Sequence, residues 1–403
     1  MKTSQKKLII KDFIPEKNLK VKKNNLQVKK ILEKIIKNLD KKKDPLYFFS
    51  KKFQLRFNSN QFKKFKKFNT IVIIGMGGSA LGAKAIYSFL EHKTNKKFLF
   101  IDNLDENKLI EIKKKKFNKL LFIMISKSGN TIETLTNINL IFKPKFNFSN
   151  SIIITEKKNS ALNLLAKKKN ILLIEHEKYI GGRYSIFTEV GMLPAFLMGF
   201  NVKKFRKNIY SLLYGKNKKL IIQNVNNLKK IYNHKKISSI VFLIYNSKLN
   251  NFVYWCQQLM AESLGKRGKG LMPILSFAPK DHHSLLQLYL EGPQNKMFYI
   301  ISSKNINKII IKNNIFKNSF KYLNNTNLNK IITAQKLSLI KSLQKRKIPY
   351  REILIKDYTE EVLGELFAYF MLETVILGKS LNTNPYDQPA VEEVKKFTKI
   401  YLN

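Results

Sequence analysis

Residues 71–82 read IVIIGMGGSALG. Four apolar residues run straight into Gly75-Met76-Gly77-Gly78-Ser79-Ala80, the pattern of a buried strand ending in a glycine turn that opens a helix. Such a turn aims bare amides at whatever lies beyond the strand, and a helix start favours negative charge there. Gly75, Gly77 and Ala80 fit the G-x-G-x-x-G/A spacing, and Asp102 follows a second apolar run at about the distance of a ribose-binding acid, so a dinucleotide pyrophosphate would fit. Gly78 and Ser79 add an amide and a hydroxyl that suit a smaller phosphate equally well. The stretch thus sets an α/β fold and leaves two kinds of anion open.

Outward from this turn the same unit repeats. Short apolar runs at 71–74, 98–101, 120–125, 151–154 and 171–174 alternate with helix-length segments, as parallel βαβ units covered on both faces require. After residue 200 a Lys/Asn-rich helical stretch leads to a second series, at 237–245, 297–301 and 352–355. Ahead of the first series, Val28, Ile31, Leu32, Ile35 and Ile36 have the spacing of an amphipathic helix. The expected architecture is two doubly wound α/β/α domains with mainly parallel sheets: an N-terminal helical segment (1–45), domains at 46–205 and 206–380, and a C-terminal helical tail (381–403). No Pro/Gly/Ser linker marks the domain boundary.

Composition narrows the function. The 403 residues, 44% hydrophobic and 12% aromatic, are enough for two cores. A single cysteine, Cys256, allows no internal disulfide, MKTSQKKLIIKDF lacks the long apolar core of a signal peptide, and the longest apolar runs fall far short of a bilayer span. A cytoplasmic protein without a membrane segment is expected. The net charge of +49 invites a nucleic-acid reading. Against it, only six of the 76 basic residues are arginine, and the lysines are spread over every segment together with abundant Asn and Ile, a pattern closer to codon bias than to a binding face. Lysine runs such as 41–43, 113–116 and 167–169 read as solvated surface, and no specific nucleic-acid partner is expected.

The chemistry concentrates in a few stretches. LLFIMISKSGNTIETLTN (120–137) repeats strand, turn and helix, and its turn is rich in donors: Ser126, Ser128, Thr131 and Thr134 carry hydroxyls, while Lys127, Ser128 and Gly129 bring amides to a helix start. A phosphate monoester fits this best; helix capping would account for any one of these hydroxyls alone. In YIGGRYS, Arg183 follows two glycines and is a permanent forked donor for an oxyanion, though a lone arginine is as often an ion-pair partner. In YWCQQLMAESLGKRGKG, Gln258 and Glu262 share a helix face near its end. A pocketed glutamate can carry protons to and from carbon, whereas a lone one is usually solvated. FAPKDHHSLLQLYLEG holds Asp281, His282 and His283, which resembles the DHH pattern of metal phosphoesterases but lacks a further ligand set, so no metal is expected. NPYDQPAVEEVKKFTKIYL puts Pro389 at a helix start with Lys395 in its early turns, on the face of Val391.

GMGGSALG followed some fifty residues on by SKSGNTIET resembles the sugar isomerase (SIS) family of phosphosugar-binding domains. With GGRYS, ESLGK, D-x-H-S-x-x-Q and YDQP…K in this order, the chain from about 70 to 396 resembles the glucose-6-phosphate isomerase family. The resemblance implies a sugar-phosphate substrate in contact with Gly78, Ser79, Ser126, Lys127, Ser128, Gly129, Asn130, Thr131, Gln258 and Gln388. It implies Glu262 as the carbon acid/base, His283 and Lys395 in ring opening, and Arg183 against the enediolate. Neither metal nor nucleotide cofactor is implied, and the family's homodimer would bring His283 from the partner chain. His282 stands where the family commonly has Gln, and Pro279-Lys280 where it has Thr-His. Two other readings remain, a relative that also accepts mannose 6-phosphate and a non-catalytic phosphosugar sensor; the sensor would need neither Glu262 nor Lys395.

Overall fold

The computed structural model describes residues 7–15, 25–58, 60–234, 236–304, 309–312 and 315–402. Among them, ten strands form two five-stranded sheets. In chain order they are β1 (Leu8–Phe13), β2 (Thr70–Ile74), β3 (Lys97–Ile101), β4 (Leu120–Ile125), β5 (Ser151–Thr155), β6 (Leu172–Glu175), β7 (Ser239–Ile244), β8 (Met272–Phe277), β9 (Lys296–Ser303) and β10 (Tyr350–Ile355).

The first sheet has the order β3-β2-β4-β5-β6 and is parallel throughout. Its strands fall on the five expected apolar runs. Both β4 and β5 are buried along their whole length, as strands under helices on both faces must be. Ile71 and Ile73 of β2 face one core and Val72 and Ile74 another, the two-residue alternation of a strand. From β2 the chain moves to one edge for β3 and returns past β2 for β4. A crevice therefore opens at the C-terminal ends of β2 and β4, where the order reverses. Both donor-rich turns lie at that point.

The second sheet has the order β1-β10-β9-β7-β8. It is parallel except for β1, which pairs antiparallel with β10. Strands β7, β9 and β10 lie on the second apolar series; β8 and β1 were not anticipated. Pro273 in β8 has no amide hydrogen for a ladder, and it is accommodated because β8 is an edge strand. Residues 8–13 correct the helical expectation for the N-terminal segment. This short stretch is held by a partner far along the chain: Arg351 Nε and Nη2 donate to the Asp12 carboxylate at 2.6 and 3.0 Å. Arg351 is fully buried and also donates to the Tyr299 hydroxyl at 3.0 Å and to Glu373. The expected helical spacing does occur in the helix Asn25–Asn38, which buries Val28, Leu32 and Ile35.

The 21-residue helix Glu360–Ser380 is buried along nearly all its length and packs on the helices Asn25–Asn38, Asn217–Tyr232 and Asn250–Leu264. The helix Leu81–Leu90, which follows the glycine turn, packs on Asn250–Leu264, which carries Glu262. This contact brings the first sheet's crevice to Glu262. The last helix, Ala390–Leu402, has no buried residue. Among the described residues no helix is long and apolar enough to cross a membrane.

Candidate active site

Four parallel strands of the first sheet deliver turns to one cavity of about 330 Å³. The turn after β2 supplies Met76, Gly78 and Ser79, that after β4 Lys127, Ser128 and Thr131, that after β5 Glu156 and Lys158, and that after β6 Gly182 and Arg183. Gln258 and Glu262 close the cavity from the facing helix, and Gln388 and Lys395 from the C-terminal segment. The turns after β2 and β6 touch through Gly78, where a Cβ would sit 2.3 Å from the carbonyl carbon of Gly182 and 2.6 Å from the amide nitrogen of Arg183.

In the turn after β4 the hydroxyls bond one another rather than capping the helix. Ser126 Oγ lies 2.9 Å from Thr131 Oγ1 and accepts from the Gly129 amide at 3.1 Å, while Ser128 Oγ accepts from the Asn130 amide at 3.2 Å. Thr131 occupies the N-cap position of the helix Ile132–Ile141, yet its side chain makes no cap bond. Gly129 has φ +70°, and a Cβ there would strike Ser160 Oγ at 2.3 Å. Ser126, Gly129 and Asn130 form the back of the turn, and Ser128, Thr131 and Lys127 its cavity face. Thr134 stands apart, buried with its hydroxyl unpaired.

Arg183 is 2% exposed and all five of its donors have acceptors. Nε donates to Ser263 Oγ at 2.8 Å, and Nη2 to the carbonyls of Pro385 and Asp387 at 2.8 and 3.1 Å. Nη1, the corner at the cavity, donates to Glu262 Oε2 at 3.0 Å and to Gln388 Oε1. Trp255 Nε1 holds the Arg183 carbonyl at 3.1 Å. Glu262 is gripped at both oxygens, since Gln258 Nε2 donates to Oε1 at 2.8 Å. Gln258 Oε1 has no hydrogen-bond partner. Lys266, of the ESLGK stretch, reaches away to Asp387 at 2.8 Å and so ties this helix to the YDQP segment; its bond holds the Asp387 carboxyl below the usual range.

The cavity's charged lining comprises Lys127, Lys158, Arg183 and Lys395 against Glu156 and Glu262, a surplus of two positive charges. A phosphate monoester carries about −1.5 to −2 at neutral pH and matches it. Burial lowers the pKa of Lys127, an effect that neighbouring Glu156 opposes. Lys395 stands at the mouth, half-exposed and 2.6 Å from Glu392.

Of the residues the resemblance implies, Gly78, Ser79, Lys127, Ser128, Thr131, Arg183, Gln258, Glu262, Gln388 and Lys395 line the cavity, Ser126, Gly129 and Asn130 lie behind it in the turn after β4, and His283 stands apart. That residue is exposed on the short helix Asp281–Ser284, and it does not line the cavity. His282 is fixed by the Tyr245 hydroxyl at 2.9 Å, and burial lowers its pKa. Asp281 secures the end of β8, accepting from the Phe277 amide at 2.6 Å and Ser276 Oγ at 2.8 Å. Asp102 is held by Lys84 at 2.6 Å, an ion pair rather than a free ribose acceptor. Glu156 and Lys158 were missed. The signal was there, since TEKKNSA after β5 repeats the strand, polar turn and helix of the SKSGNTI stretch. A second cavity of about 640 Å³ adjoins the first, shares Glu262 and Gln388, and runs between Gly265 and Val391.

The chain resembles known proteins along most of its length. It is 32% identical over 356 residues to a glucose-6-phosphate isomerase of Methanocaldococcus jannaschii, covering 84% of this chain and 86% of the relative. It is 33% identical over 370 residues to one of Campylobacter jejuni, covering 86% and 88%. Among solved structures, a hypothetical protein of Thermus thermophilus superposes with a TM-score of 0.81 at 22% identity, over 93% of this chain and 94% of that one. A glucose-6-phosphate isomerase of Chlamydia trachomatis gives 0.72 at 19% identity, over 85% and 72%. These two show a shared fold. A model of the phosphoglucose isomerase family matches residues 21–274, which span the glycine turn, the hydroxyl turn, Arg183 and Glu262; with relatives above 30% identity over most of its length, the chain belongs to that family.

Proposed function

We propose that this chain interconverts glucose 6-phosphate and fructose 6-phosphate, an aldose–ketose isomerisation of glycolysis and gluconeogenesis. The observation that carries the reading is Glu262, a carboxylate held at both oxygens in the cavity that presents Ser79, Lys127, Ser128 and Thr131. The hydroxyls and the lysine take the phosphate, which leaves the other end of the sugar to Glu262. Glu262 removes the C2 proton of the open aldose and returns it to C1, while a proton passes from O2 to O1 in the cis-enediol. As Glu262 becomes neutral, negative charge appears on O1, and Arg183 Nη1 is the donor that follows it from Glu262 Oε2. A fixed donor aimed at such charge is commonly worth about 3 kcal/mol. Gln258 and Gln388 contact the substrate's phosphate or hydroxyls.

Ring opening needs a proton carrier at the ring oxygen and the anomeric hydroxyl. Lys395 at the cavity mouth and His283 from a second copy of the chain fill that role in this reading. The exposure of His283 and the 640 Å³ cavity beside Glu262 both suit a homodimer in which each copy completes the other's site. With it go a cytoplasmic location and a division of the chain near residues 205 and 380, with β1 of the N-terminal segment joined to the second sheet.

The test is conversion of fructose 6-phosphate in EDTA, followed through a coupled dehydrogenase, with mannose 6-phosphate as the comparison substrate. Wild type should turn over without added metal, and Glu262→Gln should lose several orders of magnitude in kcat with little change in substrate affinity. Turnover of mannose 6-phosphate would move the chain to the bifunctional group. Sugar-phosphate binding without turnover would make it a sensor.

A further inference from the structure

We propose that Lys158 is a second cation for the substrate's phosphate and that Glu156 is the positioning residue that aims both Lys158 and Lys127 at it. The proposal rests on the phosphosugar reading of the cavity. The turn after β5 is fastened to the hydroxyl turn by its backbone: the Glu156 amide donates to the Lys127 carbonyl at 3.2 Å, the Leu162 amide to the Gly129 carbonyl at 3.1 Å, and the Ala161 amide to Asn130 Oδ1 at 2.9 Å. Glu156 and Lys158 therefore keep a fixed place relative to Ser128 and Thr131.

The side chains converge from that frame. The Glu156 carboxylate, 10% exposed, has one oxygen 3.7 Å from Lys127 Nζ and the other 2.7 Å from Lys158 Nζ. A carboxylate in the wall of an anion site repels the ligand, and its burial is unfavourable unless cations offset it. Its place there makes sense as a fastener that holds two flexible ammonium groups from two turns on one side of the cavity. The two lysines then match the two charges of a phosphate dianion. Lys157 gives the contrast: it is the preceding lysine, exposed, and does not line the cavity.

The test measures fructose 6-phosphate binding by calorimetry and, separately, its turnover, with inorganic phosphate as competitor. Lys158→Ala should raise Kd, KM and the phosphate inhibition constant about tenfold, the worth of one charge-assisted hydrogen bond. Lys157→Ala removes the same charge one residue away and should change none of them. Glu156→Gln gives the sharper outcome. Coulomb repulsion alone predicts tighter phosphate binding once the carboxylate is gone, whereas the positioning role predicts a Kd at least several-fold weaker. Lys158→Ala behaving like Lys157→Ala, or Glu156→Gln binding phosphate more tightly, would overturn the proposal. If Glu156→Gln does not fold, Lys158→Ala and its rescue by Lys158→Arg decide the matter, since Lys158 is 47% exposed and dispensable for packing. A wild type that binds without isomerising would refute the isomerase reading and leave the binding arm intact.

Discussion

Replacing Gly78 by alanine tests how closely the site's geometry depends on backbone contact. The added methyl would sit 2.3 Å from the Gly182 carbonyl carbon, 2.4 Å from its oxygen and 2.6 Å from the Arg183 amide nitrogen. Ordinary contact between such atoms begins near 3.5 Å, so one turn must retreat by about 1 Å. All three atoms are backbone, and no rotamer change relieves them. Arg183 rides on the displaced turn, and its hydrogen bonds at 2.8 to 3.1 Å would stretch past the useful limit. Misplacement on that scale commonly lowers a rate about 100-fold, or about 2.7 kcal/mol in the barrier, and crowding of this kind costs about 1 to 3 kcal/mol of stability. The assay is kcat/KM for fructose 6-phosphate together with a thermal melt. Gly181→Ala is the control, because its Cβ would meet Tyr184 at 3.4 Å and the Tyr386 carbonyl at 4.0 Å, which are ordinary contacts. A Gly78→Ala enzyme within twofold of wild type would refute the argument.

Two further outcomes follow from buried charge. His176 is 3% exposed and burial pushes its pKa down to about 4, so the unfolded chain binds its proton first as pH falls. Its stabilising contribution is complete above about pH 6.5 and is lost between there and pH 4, an effect of roughly 3 kcal/mol; urea midpoints across that range should fall steeply in wild type and flatten in His176→Gln. Arg351→Leu would strand the Asp12 and Glu373 carboxylates in the core and should destabilise by about 3 to 5 kcal/mol in urea titration, leaving kcat of the folded fraction near wild type because Arg351 lies outside the cavity.

The legible parts of the sequence were those whose partners are close along the chain. Strand ends running into Gly77-Gly78-Ser79 and Ser126 to Thr131 announced both the parallel sheet and the crevice, because a turn's residue types follow from its own backbone. Glu262 and Arg183 became meaningful only as members of a motif set, since nothing local to either says that Nη1 will meet Oε2 across 79 residues. Strand β8 was hidden by a proline that only its edge position makes tolerable. Glu156 and Lys158 looked like two more charges in a lysine-rich chain until the turn after β5 was seen to lean on its neighbour. Thr134 read as a donor for the turn because sequence spacing does not reveal which side of a helix start faces inward.

The pairing of β1 with β10 also bears on how the chain is made. Arg351 leaves the ribosome 339 residues after its partner Asp12, a delay of roughly 20 to 70 s at ordinary synthesis rates. The first sheet is complete by Glu175 and can close within that interval. The second cannot, because its antiparallel edge must wait for the opening segment to be recaptured. Any event that occupies or removes Leu8–Phe13 before then would leave Tyr350–Ile355 paired only with β9, with one open edge and an arginine deprived of its Asp12 partner, a surface primed for pairing with another chain.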